Sequence, residues 1–273
     1  MGCDRVAVLG AGAMGVGISR MLLESGADVL LSDIDPGALE AARRKLTSVA
    51  ASWPAGWEER LTVTDEVAAV DSCDVVVDAT PQDTDRKSAV LREVARRTGS
   101  GVLVGTVTLG TPLADLDAVG DLTDRLVGLH FMNPPHALRF CEVVVRSGLD
   151  PRFLDRARTL LTSIRVRAIE VRDTNGFVLN RALVPFLFTA VRMLEDGAAS
   201  AADIDRAFVE GCAHPMGPLA ILDLIGLDVA IALGEQLVPT AGESCRPPGL
   251  LRELLARGRR LHDVDGAPAI RPS

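Results

Sequence analysis

The most constraining feature of this 273-residue chain is a glycine signature at the end of its first apolar run. Residues 5–10 read RVAVLG, and Gly10, Gly12 and Gly15 spell G-x-G-x-x-G where a helical pattern begins and continues through Leu23. That spacing suits a strand-to-helix junction facing a phosphate. The first glycine makes the tight turn, the second lets a phosphate approach the backbone, and the third lets helix and strand pack closely. The helix N-terminus then presents oriented N–H groups to the anion. The loop Gly10, Ala11, Gly12, Ala13, Met14 and Gly15 is therefore expected to hold the pyrophosphate of a dinucleotide. A second run, Asp28–Ser32, ends beside Asp33. Its carboxylate would accept hydrogen bonds from ribose hydroxyls and repel a 2′-phosphate, which predicts NAD rather than NADP. Asp35, just ahead of Pro36, is the better candidate to cap the next helix.

Further short apolar runs follow at Arg60–Val63, Asp74–Asp78, Gly101–Thr106, Leu126–His130 and Arg167–Val171, most of them separated by helical segments. Near-continuous apolar strands alternating with helices imply a parallel sheet covered on both faces. From Asn175 onward the pattern is helical, broken at His214–Pro218 and Pro247–Gly249. The expected fold is α/β: a Rossmann-type doubly wound parallel sheet over residues 1–174, then a smaller all-α domain over 175–273. The last dozen residues are expected to fray.

Composition removes several function classes. Tyrosine is absent, so no Tyr/Lys pair can act as the acid of a short-chain-type dehydrogenase. A formal charge of −8 argues against nucleic acid or an anionic membrane as partner. Five scattered cysteines without a CxxC pair form neither a disulfide framework nor a metal site, and fit a reducing cytoplasm. No metal is expected. The chain shows no basic-then-apolar leader, and Val6 stands where an acylation motif beginning at Met1-Gly2-Cys3 would need Ser or Thr. The apolar stretches 183–194 and 218–238 carry Arg192, Asp223, Asp228 and Glu235, so they read as buried helices rather than membrane spans.

Candidate chemistry lies at the end of the run Leu126–His130, where ligands of open α/β sheets bind. A returning extended segment, Arg139–Val145, carries Glu142. A His130–Glu142 pair would fix the imidazole tautomer and raise its basicity, as a general base requires. His130 taken alone also fits a hydrogen-bonded structural histidine. His136, His214 and His262 have no comparable context and read as loop, turn and surface residues.

Six strings occur in order: VAVLGAGAMGVGISR, DATPQDTDRK, GLHFMNP, EVV, DTNGFVLNR and HPMGPLAILDLIGLD. Together, over roughly residues 4–240, they resemble the 3-hydroxyacyl-CoA dehydrogenase family, in its 3-hydroxybutyryl-CoA dehydrogenase-like form. The resemblance implies that His130 is the base removing the hydroxyl proton as hydride leaves for NAD. It implies that Glu142 supports His130, that Asn180 bonds the substrate oxygen, and that Asn133 lies near the nicotinamide end. It also sets Lys87 beside cofactor and substrate. Lys87 and Lys45 are the only lysines among 29 basic residues, so a lysine kept at 87 favours function over a solvated helix position. The β-hydroxyacid dehydrogenases share the glycine start but need a lysine in the helix joining the domains. Residues 173–195 contain none.

The chain departs from the family pattern in four places. Val107 stands at a serine position, leaving Thr108 as the nearest hydroxyl to substrate. Pro81-Gln82 replaces Pro-Glu, so Gln82 takes the place of a carboxylate near the cofactor ribose. Only 32 residues separate Asp33 from Asp65, where relatives carry a longer helical hairpin that contacts CoA, and Arg257–Gly266 replaces the family's aromatic tail. The acyl group is therefore expected on CoA or on an acyl-carrier protein, as in a glyceryl-type unit of polyketide or other secondary metabolism. The helical domain implies a homodimer. An alternative is a catalytically impaired NAD-binding relative with a binding or structural role.

Overall fold

The computed structural model describes residues 5–116 and 122–264. The Met-Gly-Cys start and the tail beyond 264, for which expectations were stated above, lie outside those residues.

The first compact unit, Met1–Thr174, is built on one eight-stranded sheet. Its strands are β1 (Arg5–Leu9), β2 (Asp28–Ser32), β3 (Leu61–Thr64), β4 (Val75–Asp78), β5 (Leu103–Val107), β6 (Leu126–Phe131), β7 (Phe140–Val145) and β8 (Arg167–Arg172), in the order β3-β2-β1-β4-β5-β6-β7-β8. The helices are α1 (Ala13–Glu24), α2 (Pro36–Val49), α3 (Thr84–Arg97), α4 (Pro135–Leu138) and α5 (Pro151–Ser163). From β1 the chain builds outward through β2 and β3, then returns to add β4 on the other side. That reversal beside β1 creates the crevice where open sheets bind ligands.

The parallel expectation holds for β1 to β6. Strand β7 pairs antiparallel with β6, and β8 runs parallel to β7, so two strands oppose the other six. The cause is connection length. Eight residues join β6 to β7, too few for the crossover that a parallel pair needs.

Strands β1 and β4, central in the sheet, are buried along almost their whole length. Helix α2 starts as its sequence implies, with the Asp35 carboxylate accepting the Gly37 N–H and Pro36 in the first turn. The loop after α2 is not a solvated one. Trp53 and Trp57 pack edge to face at 5.1 Å and join the core under the sheet. At the C-terminus of α3, the buried Arg125 guanidinium donates to the carbonyls of Ala95, Thr98, Gly99 and Val102. The Ala95 and Thr98 carbonyls are acceptors that the helix end leaves unpaired, and the cation also opposes the macrodipole there. Burial pushes the guanidinium pKa down, with Asp124 partly countering it.

The second unit, Asn175–Ser273, is helical: α6 (Leu179–Glu195), α7 (Ala201–Gly211), α8 (Pro218–Ile225), α9 (Leu227–Ala241) and α10 (Gly249–Ala256). His262, read above as a surface residue, is held between two carboxylates. Its Nδ1 lies 2.8 Å from Asp223 and its Nε2 3.1 Å from Asp205. Asp205 also accepts the Leu219 and Ala220 N–H groups at the start of α8, so one cluster ties α7, α8 and residues 261–263 together. Among the described residues no helix is long and apolar enough to cross a membrane.

Candidate active site

The glycine loop has the shape its spacing requires. Gly10 adopts φ +106°, and a Cβ there would lie 2.6 Å from the Ala79 carbonyl oxygen. A Cβ on Gly15 would stand 1.8 Å from the Gly10 carbonyl oxygen, so any side chain would push the loop off the helix. Gly12, by contrast, faces open space. Helix α1 begins there with no capping side chain and no acidic residue in its first turn. Gly12 and Ala13 are exposed, Met14 is half-buried, and Ala11 and Gly15 are buried. The junction leaves room and N–H groups for a phosphate, with no carboxylate in the turn to repel it.

Asp33 lies directly after β2 and reaches this loop. Its carboxylate accepts the Ala11 N–H at 2.7 Å and the Asp35 N–H at 3.0 Å. A carboxylate has about four lone-pair sites, so two backbone bonds leave capacity for ribose hydroxyls. The same side chain thus shapes the loop and can select the cofactor. These residues fit NAD.

His130 and Glu142 form a buried pair in the candidate site. They stand directly opposite each other in the antiparallel register of β6 and β7. Residues so paired project to the same face. His130 Nδ1 lies 2.6 Å from Glu142 Oε2, with His130 2% exposed and Glu142 0%. A carboxylate can only accept, so in the neutral ring Nδ1 is the nitrogen that donates and Nε2 the one left with a lone pair. Such a pair can take up a proton at Nε2 while the carboxylate stabilises the resulting imidazolium.

Three of the expected site residues bond within the protein. Lys87 is buried, its Nζ 2.9 Å from Asp78 Oδ2 and 3.4 Å from Thr106 Oγ1. Thr106 also donates to Asp78 Oδ2, and Asp78 Oδ1 accepts both the N–H and the hydroxyl of Thr80. Asp78 was not anticipated. Its signal was a carboxylate directly after the apolar run Val75–Val77, nine residues before a rare lysine.

Gln82 turns both ends of its amide to the backbone after β5. It donates to the Val107 carbonyl and accepts the Leu109 N–H, each at 3.1 Å. A glutamate could make only the second of these bonds. Thr108 sits beside the end of β6, its N–H donating to the Leu129 carbonyl, but its hydroxyl donates to Thr111 at 3.0 Å. The Val107 side chain packs into the core.

Asn133 follows β6 by two residues and is exposed. Asn180 is buried in the first turn of α6, in the second unit.

Comparison with known proteins gives a consistent result over the whole chain. Residues 5–174 match the family described as 3-hydroxyacyl-CoA dehydrogenase, NAD binding domain, and residues 176–263 match its C-terminal domain. A 3-hydroxybutyryl-CoA dehydrogenase of Mycobacterium tuberculosis is 31% identical over 269 residues, covering 94% of each chain. A 5-formyl-3-hydroxy-2-methylpyridine 4-carboxylate 5-dehydrogenase of Mesorhizobium japonicum is 31% identical, covering 82% of this chain and 76% of its own. The crystal structure of the (S)-3-hydroxybutyryl-CoA dehydrogenase of Ralstonia eutropha superposes with a TM-score of 0.88 at 29% identity, covering 94% of this chain and 95% of that one.

Proposed function

Because the chain belongs to the 3-hydroxyacyl-CoA dehydrogenase family and is an NAD-dependent dehydrogenase of that kind, we propose that it oxidises the hydroxyl of a 3-hydroxyacyl thioester with His130 as general base. The observation that carries this reading is the buried His130–Glu142 pair at 2.6 Å. His130 Nε2 takes the hydroxyl proton, and Glu142 holds the ring in the tautomer that can do so. The Gly10–Gly15 loop and Asp33 hold NAD, which, when bound, accepts the hydride from the carbinol carbon. Asn133 lines the nicotinamide end, and Asn180 donates to the substrate oxygen. Gln82 and Lys87 hold the ends of β4 and β5 in place beside the cofactor side of the sheet.

The thioester carrier is the finer part of the proposal. Between β2 and β3 the chain has only α2 and a short loop closed by the two tryptophans. This supports a carrier-protein-tethered substrate, such as a glyceryl-type unit, beside the CoA thioester. The decisive assay follows NADH formation with 3-hydroxybutyryl and glyceryl groups, each on CoA and on a carrier protein. Oxidation of hydroxyacyl thioesters is expected, with NAD used at least about tenfold better than NADP because Asp33 excludes a 2′-phosphate. Activity on CoA alone removes the tethered substrate, and no activity on any thioester removes the whole reading.

We also propose a homodimer in the cytoplasm. Val209, Met216, Leu224 and Ile225 leave apolar surface exposed on the second unit, and Cys73, Cys141, Cys212 and Cys245 are free thiols. Sedimentation is expected to give twice the chain mass at micromolar concentration; a monomer there would count against it.

A further inference from the structure

The chain enters α6 through a tight loop, and one side chain ties that loop to α9. The Asn175 amide places both of its donors and its acceptor on this helix. Its Nδ2 donates to the Gln236 carbonyl at 2.6 Å and to Thr240 Oγ1 at 3.1 Å, while its Oδ1 accepts from Gln236 Nε2 at 3.1 Å. An amide offers few groups of each kind, so three bonds to one helix leave it little freedom to turn.

Beyond Asn175 the backbone holds a constrained shape. Gly176 has φ +74° and Phe177 φ +51°, two left-handed residues in succession. Glycine adopts such a shape freely, but phenylalanine keeps it only where the surroundings impose it. Phe177 is 2% exposed, and Gly176 lies so near α9 that a Cβ on it would clash with the Leu237 side chain. The Gly176 carbonyl accepts the Arg181 N–H at 3.2 Å, which fastens the loop to the first turn of α6. Asn180 is buried in that turn, one residue before Arg181. Val178, at the N-cap of α6, has no side-chain oxygen with which to cap it. The start of the helix therefore depends on the loop, and the direction of Asn180 depends on the start of the helix.

We propose that Asn175 is a positioning residue: by clamping the loop to α9 it sets the angle at which Asn180 meets the substrate oxygen. The inference rests on the thioester reading above, in which Asn180 donates to that oxygen, and deepens it. A donor aimed at charge that develops in the transition state works only in the right place, and a displacement of about 1 Å can cost on the order of 10²-fold in rate.

The test follows NADH consumption with acetoacetyl-CoA and with an acetoacetyl carrier protein, using the full chain, Asn175→Ala, Asn180→Ala and the double variant. Asn180→Ala is expected to lower kcat by about 10²–10³-fold. Asn175→Ala is expected to lower it by about 10–30-fold, with NADH affinity unchanged because the glycine loop belongs to the first unit. In the Asn180→Ala background, Asn175→Ala should cost less than about twofold, since the group it aims is gone. A merely structural role would give the same loss in both backgrounds. Gln236→Met removes one of the three bonds and should cost about threefold, the size of one neutral hydrogen bond, and again nothing beside Asn180→Ala. This milder variant decides the matter should Asn175→Ala fail to fold. Independently of rate, the Arg181 amide should exchange its hydrogen faster in Asn175→Ala. An Asn175→Ala protein of full activity beside an impaired Asn180→Ala overturns the proposal alone. A loss that persists undiminished in the Asn180→Ala background also overturns it, as does an Arg181 amide that exchanges no faster. Full activity in Asn180→Ala, or no turnover by the unaltered protein, refutes the reading beneath the proposal and the proposal with it.

Discussion

His130→Gln is expected to lower turnover by about 10²–10⁴-fold while leaving NAD binding in place. Glutamine keeps polarity and approximate size at the end of β6, so the strand and the glycine loop in the neighbouring part of the sheet should stand. What it lacks is a nitrogen lone pair that can accept a proton near neutral pH. The hydroxyl proton of a secondary alcohol has a pKa far above neutral, so the barrier rises when no base is placed to take it. Glu142→Gln is expected to fall in the same range for a different reason. The ring would remain, but an amide in place of the carboxylate neither imposes the Nδ1–H tautomer nor stabilises the imidazolium. NADH formation gives the rate, and fluorescence titration with NADH gives cofactor affinity. Full activity in His130→Gln would refute the base assignment, whereas equal loss of rate and cofactor affinity would point to a collapsed site.

Lys87→Met is expected to destabilise the first unit by about 3–5 kcal/mol. Asp78 is 0% exposed and Lys87 3%, so removing the ammonium leaves a carboxylate in the interior with its counter-ion gone. Replacing both partners, as Asp78→Asn with Lys87→Met, should recover much of the loss, since neither variant side chain then carries an uncompensated charge. Urea unfolding of the four proteins closes the cycle. If Lys87→Met instead kept its stability and lost affinity for NAD, the lysine would be a cofactor ligand and its pairing with Asp78 incidental.

The glycine loop, Asp33 and the alternation of strands and helices were legible because each depends on local rules: a turn that needs positive φ, a carboxylate at a strand end, apolar runs of strand length. The His130–Glu142 pair was legible once the segment after β6 was read as returning, because a short return places two strands side by side. Side-chain partners across the sheet were harder to read. Nothing local to Lys87 says that Asp78 and Thr106, from two different strands, surround its ammonium. Gln82 and Thr108 showed the same gap. Each stands near the expected place, but the direction of an amide or a hydroxyl is decided by backbone groups 25 residues away or by a turn's own carbonyl. His262 looked featureless for a similar reason, since its surroundings come from α7 and α8.

The pairing of His130 with Glu142 rests on strand register rather than on the loop between them. The turn 132–139 does not set that alignment, so a substitution there leaves the two side chains opposed while it alters the segment that carries Asn133. A one-residue deletion inside β7 ahead of Glu142 is another matter, because it would turn the carboxylate to the opposite face of the sheet. The alignment of the pair is thus a property of the two strands, and a change of register, not of the turn's composition, is what would undo it.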